Sequence, residues 1–320
     1  AKMTTYPRPV SRSLTVAAVT SLVVVTLLYA ALERGRSLRA DRALSELPRT
    51  ARAVLHIDAA ALEHTPAAGT LLSAFIADEQ LSEIEASCGL NPLSALSEAT
   101  VWVRGPEDQP FQSFGLMLRG RSVDAATLAD CHRQLVEERG GSVVRLDAPI
   151  GPMLASTDGR SAIARIDERT VVTGGAATVA EAVAVQRELM PSLLDRPKMA
   201  ALWPKVSRGA SIAAALDPPE HWRSALESVA TLGEETSCLD GLEAIGASVQ
   251  AGSRHTLGVY IDVDDAERAE ENAKLIQAWA AAPPGDLQPP WIDVLRSARV
   301  RLRGRTIFVA LDVSSLSSAP

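Results

Sequence analysis

Ser161–Val172 reads SAIARIDERTVV, and 136 residues later Ser297–Phe308 reads SARVRLRGRTIF. Five of the twelve positions are identical, and most of the others exchange one apolar residue for another. Each stretch sets two short runs of apolar and β-branched residues around a short polar break, the pattern of a β-hairpin. In the first, the chain turns at Asp167-Glu168 into RTVV; in the second it turns at Arg303-Gly304 into RTIF.

The likeness extends outward from this pair. VLHID at Val54–Asp58 has its counterpart in AAALD at Ala213–Asp217, each run ending in aspartate before a helical stretch. SCGLNPLSALSEATV from Ser87 is matched by SCLDGLEAIGASV from Ser237, and FGLMLRGRSVDAA is matched by LGVYIDVDDAE, with Gly115 opposite Gly258. The offsets between matched positions shrink in order, 159, 150, 148, 143, 140 and 136, as a doubled segment would give when its second copy carries shorter loops. Hairpins mixed with isolated helices, rather than a regular strand-helix alternation, predict an α+β fold. The expected architecture is an N-terminal transmembrane helix followed by two tandem copies of a mainly antiparallel sheet unit packed with helices.

Length and composition agree with two folded units: 320 residues exceed what one core usually supports, and the chain is 47% apolar and 22% charged. Aromatic residues make up only 4%, too few for base-stacking platforms, and the net charge of −7 disfavours nucleic acid and anionic lipid as partners.

Ser13–Leu32 holds twenty residues without a charge, enough for a helix of roughly 30 Å, the depth of a bilayer's hydrocarbon core. A cleaved signal peptide is the other reading, but the available exits place Leu28 or Tyr29 where a small residue is wanted. The segment is therefore expected to be retained and to contact membrane lipid through residues 13–32. Lys2, Arg8 and Arg12 precede it and Arg34, Arg36, Arg39, Arg42 and Arg49 follow it, so the positive-inside rule alone would hold the body in the cytoplasm, against the cysteine pattern. The expected boundaries are a tail at 1–12, the span at 13–32, a stalk at 33–51, copy one at 52–190, a spacer at 191–209, copy two at 210–313 and a polar tail at 314–320.

Cys88 closes a predicted helix over Gly69–Ser87, and Cys131 lies in the next one, 43 residues on. The two form a possible disulfide, which requires an oxidising compartment; three buried free thiols, Cys238 included, are the alternative.

Other candidates for chemistry have simpler explanations. Asp262, Asp264 and Asp265 invite a divalent cation, but Asp264 as helix N-cap with Glu267 three residues on explains them without one. Five histidines, His56, His64, His132, His221 and His255, never fall in a metal-binding or catalytic spacing. Thr173–Thr178, TGGAAT, lacks the lysine of a phosphate loop and reads as a strand-to-helix turn. No metal, cofactor or catalytic residue is expected.

The apolar N-terminal segment, the strand ending in Ile-Asp before a helix, CGLNPLSALSEATV, and RPKMAALWPKVSRGASIAAALD together resemble uncharacterised bacterial envelope proteins. In those, one N-terminal membrane segment precedes a duplicated α+β domain of unknown function. The resemblance covers residues 50–312 and implies an outward-facing domain, with no catalytic residue. The expected location is the bacterial inner membrane, single-pass, with the C-terminal domain in the periplasm. The expected role is a non-enzymatic interaction or scaffold module with an envelope protein partner, acting through exposed sheet surfaces or the groove between copies. The alternatives are an envelope hydrolase with a non-standard site between the repeats, resting on His56 or His221, and a carrier of lipid or another small ligand.

Overall fold

The computed structural model describes residues 40–59, 82, 85–104, 113–148, 151–220, 223, 239–250, 256–283 and 289–313. They form a single antiparallel sheet of twelve strands, flanked by seven helices. This corrects the expectation of two tandem sheet units. The strands that would begin the separate units, β1 (Ala51–Asp58) and β8 (Ile212–Leu216), pair with each other from Ala53↔Leu216 to Ile57↔Ile212. The physical reason is edge satisfaction: as separate units, both strands would present unpaired N–H and C=O groups, and the seam removes both edges at once.

One wing runs outward from β1 through β2 (Leu96–Arg104), β3 (Ser113–Gly120), β7 (Thr170–Gly174), β6 (Ala162–Arg165), β5 (Gly151–Ser156) and β4 (Val143–Ala148). The other runs from β8 through β9 (Leu242–Gln250), β10 (Thr256–Val263), β12 (Thr306–Asp312) and β11 (Arg299–Arg303). In each wing the first three strands lie in chain order and are followed by the last strand of a hairpin and then its first. Those hairpins are β6-β7 and β11-β12, the two stretches that spell alike.

Helices cover both faces. On one face, α1 (Ala40–Ser45), α4 (Ala176–Gln186) and α5 (Pro197–Ser207) enclose a core containing Leu44, Leu47, Trp102, Val172, Leu193, Leu202 and Trp203, all essentially without solvent contact. On the other, α3 (Ala125–Glu138) packs on β6 and β7, while α6 (Ala266–Ala281) and α7 (Pro289–Arg296) cover β10, β11 and β12. A one-turn helix, α2 (Pro92–Ala95), leads into β2, and a 3₁₀ turn at Leu193–Asp195 precedes α5.

Among the described residues no helix is long and apolar enough to cross a membrane. The longest of them, α6, has 16 residues and an acidic first turn, short of the roughly 20 apolar residues that a span needs. The expected single-pass anchor, and with it the inner-membrane location, is therefore not supported. The segment 13–32 itself lies outside the described residues, as do the tails 1–12 and 314–320.

Part of the expected stalk is core, since Leu44 and Leu47 are fully buried. The expected spacer is likewise structural: α5 places Met199, Leu202, Trp203 and Val206 on the sheet. Pro197 opens this helix at its first position, where a missing N–H leaves no bond unmade. Most of the predicted helix over Gly69–Ser87 lies outside the described residues.

Candidate functional site

The β1·β8 seam ends in a groove. At that end the chain enters β1 through Arg49, Thr50 and Arg52, β8 leaves at Asp217, and α5 begins at Arg196-Pro197-Lys198. With Met190 and Pro191 from the turn after α4, these residues line a cleft of about 560 Å³. A second cleft of about 400 Å³ adjoins it through Pro197 and Lys198 and continues along the ends of β9, β10 and β12, past Glu243, Asp262, Arg305 and Thr306.

Charge in this groove is unevenly matched. In the second cleft, the Lys205 ammonium meets both oxygens of Asp262 at 3.1 and 3.2 Å and the Thr306 hydroxyl at 2.9 Å. Lys198 pairs with Glu243 at 2.9 Å, and Arg305 approaches the same carboxylate at 3.7 Å. In the first cleft the carboxylate is Asp217, buried to 7% side-chain exposure, and three guanidiniums share it. Arg196 donates to it, Arg52 stands at 3.8 Å and Arg223 at 3.9 Å. Arg49 adds a further positive charge, exposed to solvent, with no ion pair among the described residues.

Burial pulls the Arg196 guanidinium below its ordinary pKa; attraction to Asp217 opposes this, and repulsion from Arg52 and Arg49 adds to it. Arg196 also donates to the Ala51 carbonyl at 2.8 Å, which fixes its fork between β1 and β8. Thr50 donates to Glu181 of α4 at 2.8 Å, and Glu181 holds Arg104 at 2.5 Å, so the rim of the groove is tied to the helix layer of the β1 wing.

The cysteines behave differently from the rest of the sequence-derived candidates. Cys88 and Cys131 form a disulfide, with Cα atoms 5.1 Å apart. It fastens the chain before β2 to α3, and the Ser87 hydroxyl adds a hydrogen bond to Glu138 on the same helix. Cys238 lies outside the described residues.

The aspartates at 262–265 do not converge on one point. Asp262 faces Lys205 and Thr306, Asp264 pairs with Arg268, and the N-cap of α6 is Asp265, which accepts from the Glu267 amide at 2.7 Å. The expected cap at Asp264 is therefore one residue early, because two adjacent aspartates can both serve and backbone geometry chooses. Among the described residues no three His, Cys, Asp or Glu side chains gather as a metal would require. At the TGGAAT turn, Gly175 is the N-cap of α4.

Of the histidines, His56 is buried and meets the Thr100 hydroxyl at 2.8 Å; burial pushes its pKa down to about 4. His132 meets Ser161 at 3.2 Å, and burial lowers its pKa as well. Neither imidazole hydrogen-bonds a carboxylate among the described residues, so neither has the orienting acid of a serine hydrolase. His64, His221, Trp222 and His255 lie outside the described residues.

Sequence reasoning did not find the arginine cleft. Its signal was a basic residue at the start of each adjoining element, in PRTARAV and DRPK, but Arg49 and Arg196 stand far apart in the chain and meet only through the seam. Compared with protein-family models, characterised proteins and solved structures, the chain matches none.

Proposed function

We propose that the protein is a non-enzymatic interaction module whose contact surface is the groove at the end of the β1·β8 seam. The observation that carries this reading is the arginine cluster there: Arg196, Arg52 and Arg223 approach one buried carboxylate, Asp217, and Arg49 lines the same cleft with no ion pair among the described residues, in a chain of net charge −7. Clustering like charges costs folding free energy through mutual repulsion, and a bound partner of opposite sign relieves that cost. The Cys88–Cys131 disulfide suits an oxidising environment.

A hydrolase is less well supported, because the histidines described lack an orienting carboxylate. A lipid carrier is less well supported because charged side chains make up about half of each cleft's lining.

The test is site-directed photo-cross-linking in the cells that make the protein. A photoreactive residue at Thr50, on the groove, should give one or a few defined adducts, and the same residue at Arg160, on an exposed turn between β5 and β6 far from the seam, should not. Identical adducts from both positions, or none from Thr50, would contradict the reading.

A further inference from the structure

We propose that the groove takes a short, extended acidic peptide segment of a partner protein, with its strongest contact at Arg49; this rests on the groove being the contact surface. Length, charge and lining each point this way.

The two clefts are continuous through Pro197 and Lys198, and their walls draw on the ends of β1, β8, β9, β10 and β12, which are successive neighbours in the sheet. Four inter-strand steps of about 4.8 Å give a path of about 19 Å, which about six residues of extended chain would cover at roughly 3.3 Å each.

The charge gradient sets the direction of preference. In the second cleft each carboxylate already has a cation at hydrogen-bond distance: Asp262 has Lys205 and Glu243 has Lys198. In the first cleft, Asp217 already has Arg196 as its close partner, and Arg49 has no ion pair among the described residues. An incoming carboxylate thus gains most at the β1 end, where an arginine fork can hold it through two hydrogen bonds. Met190, Pro191 and Pro197 line the same cleft and offer an apolar wall to a neighbouring side chain.

A nucleic acid would bring the same charge, but as a long polyanion it would run beyond the groove over a body of net charge −7. A short segment is attracted within the cleft, and at physiological ionic strength it is screened from charges more than about 8 Å away.

The experiment is fluorescence anisotropy on the full chain with its disulfide intact, in low salt. The probe is a labelled hexapeptide of alternating leucine and glutamate; its leucine-lysine counterpart and a twelve-nucleotide single-stranded DNA are the comparisons. The acidic peptide should bind saturably at one site, at least tenfold more tightly than the lysine peptide and more tightly than the DNA. Arg49→Glu, an exposed position, should weaken it at least tenfold with the melting temperature unchanged, and Arg49→Lys should retain most of the binding. Arg133→Glu, on the exposed face of α3, should leave binding as it was.

Absence of saturable binding, an equal loss in Arg133→Glu, or tighter Arg49-dependent binding of the DNA would overturn the proposal. If groove-specific cross-links at Thr50 persist while the acidic peptide does not bind, the partner chemistry is wrong and the contact surface stands. If both vanish, the interaction reading falls as well.

Discussion

The two wings of the sheet solve one packing problem with different materials. In the β1 wing the third strand passes so close to its neighbour that a Cβ on Gly115 would fall 2.1 Å from the Trp102 ring, a fully buried side chain. At the matching position of the β8 wing, Gly258 would place its Cβ 3.0 Å from Phe308 and from the Ser248 hydroxyl, and Phe308 packs on Tyr260 with ring centroids 4.8 Å apart. The β1 wing adds two outer strands, β5 and the edge strand β4, and a disulfide; the β8 wing stops at β11 and lays α6 and α7 against its outer strands. Strand order outward from the seam is thus shared, while side-chain packing is local to each wing and can diverge.

That contrast can be broken most forcefully at the disulfide. Cys131→Ser removes a cross-link closing a loop of 43 residues, which in the chain-entropy picture lowers stability by about 4 kcal/mol. Hydrogen exchange should show protection lost first in α3 and β2, with α6 and β10 opening later. Simultaneous loss in both wings would mean that the seam couples them more tightly than their separate cores suggest.

Next come the paired glycines. Gly115→Ala forces a methyl into the Trp102 ring and should lower stability by about 3 kcal/mol, whereas Gly258→Ala meets the outer atoms of the Phe308 and Ser248 side chains at 3.0 Å, which need give only slightly, and should lose less than about 1.5 kcal/mol. Chemical denaturation of the two variants side by side checks the difference. Equal losses would remove the claim that the wings are packed differently at this position.

A smaller, pH-dependent effect belongs to the seam strand β1. Burial lowers the folded-state pKa of His56 to about 4, and in the unfolded chain the imidazole titrates near its ordinary value of 6.5. Between those values the unfolded state binds the proton and the folded state does not, so this contribution is intact above pH 6.5 and is lost as pH falls toward 4. The full loss, on the order of 3 kcal/mol, is reached only near pH 4, and at milder pH the effect is smaller. His56→Asn should flatten that part of the stability profile; an unchanged slope would assign it to other groups.

How much of this could be read from residues alone follows the range of each interaction. The hairpins at 161–172 and 297–308 were legible because short apolar and β-branched runs and a central turn are local signals, and β6-β7 and β11-β12 lie there. A capping aspartate is an equally local signal, and at the start of α3 the Asp124 side chain accepts from the Thr127 amide at 2.8 Å. Strand β5 was missed because GPMLAS opens on Gly-Pro, a turn signature, yet its later residues pair with β4 and β6.

The seam was missed because AAALD, read as a strand, carries nothing local to say that its partner is a strand over 150 residues away. The arginine cleft was hidden by the same distance. Arg49 looked like a charge flanking an apolar segment, and only the pairing of Arg52 with the end of β8 brings it toward Arg196 and Asp217.

Cross-linking across the seam tests the joined sheet most directly. The Asp58 amide donates to the Ser211 carbonyl and the Asp217 amide to the Arg52 carbonyl, which leaves Leu55 and Ala214 as a non-hydrogen-bonded pair with side chains at their closest. In a Leu55→Cys, Ala214→Cys variant, peptide mapping under mild oxidation should recover one new disulfide between these two positions. The mispaired control, Ile57→Cys with Leu216→Cys, should give none. A cross-link in the control and not at Leu55→Cys, Ala214→Cys would show that the halves do not join through this register, and the groove would then not form as described.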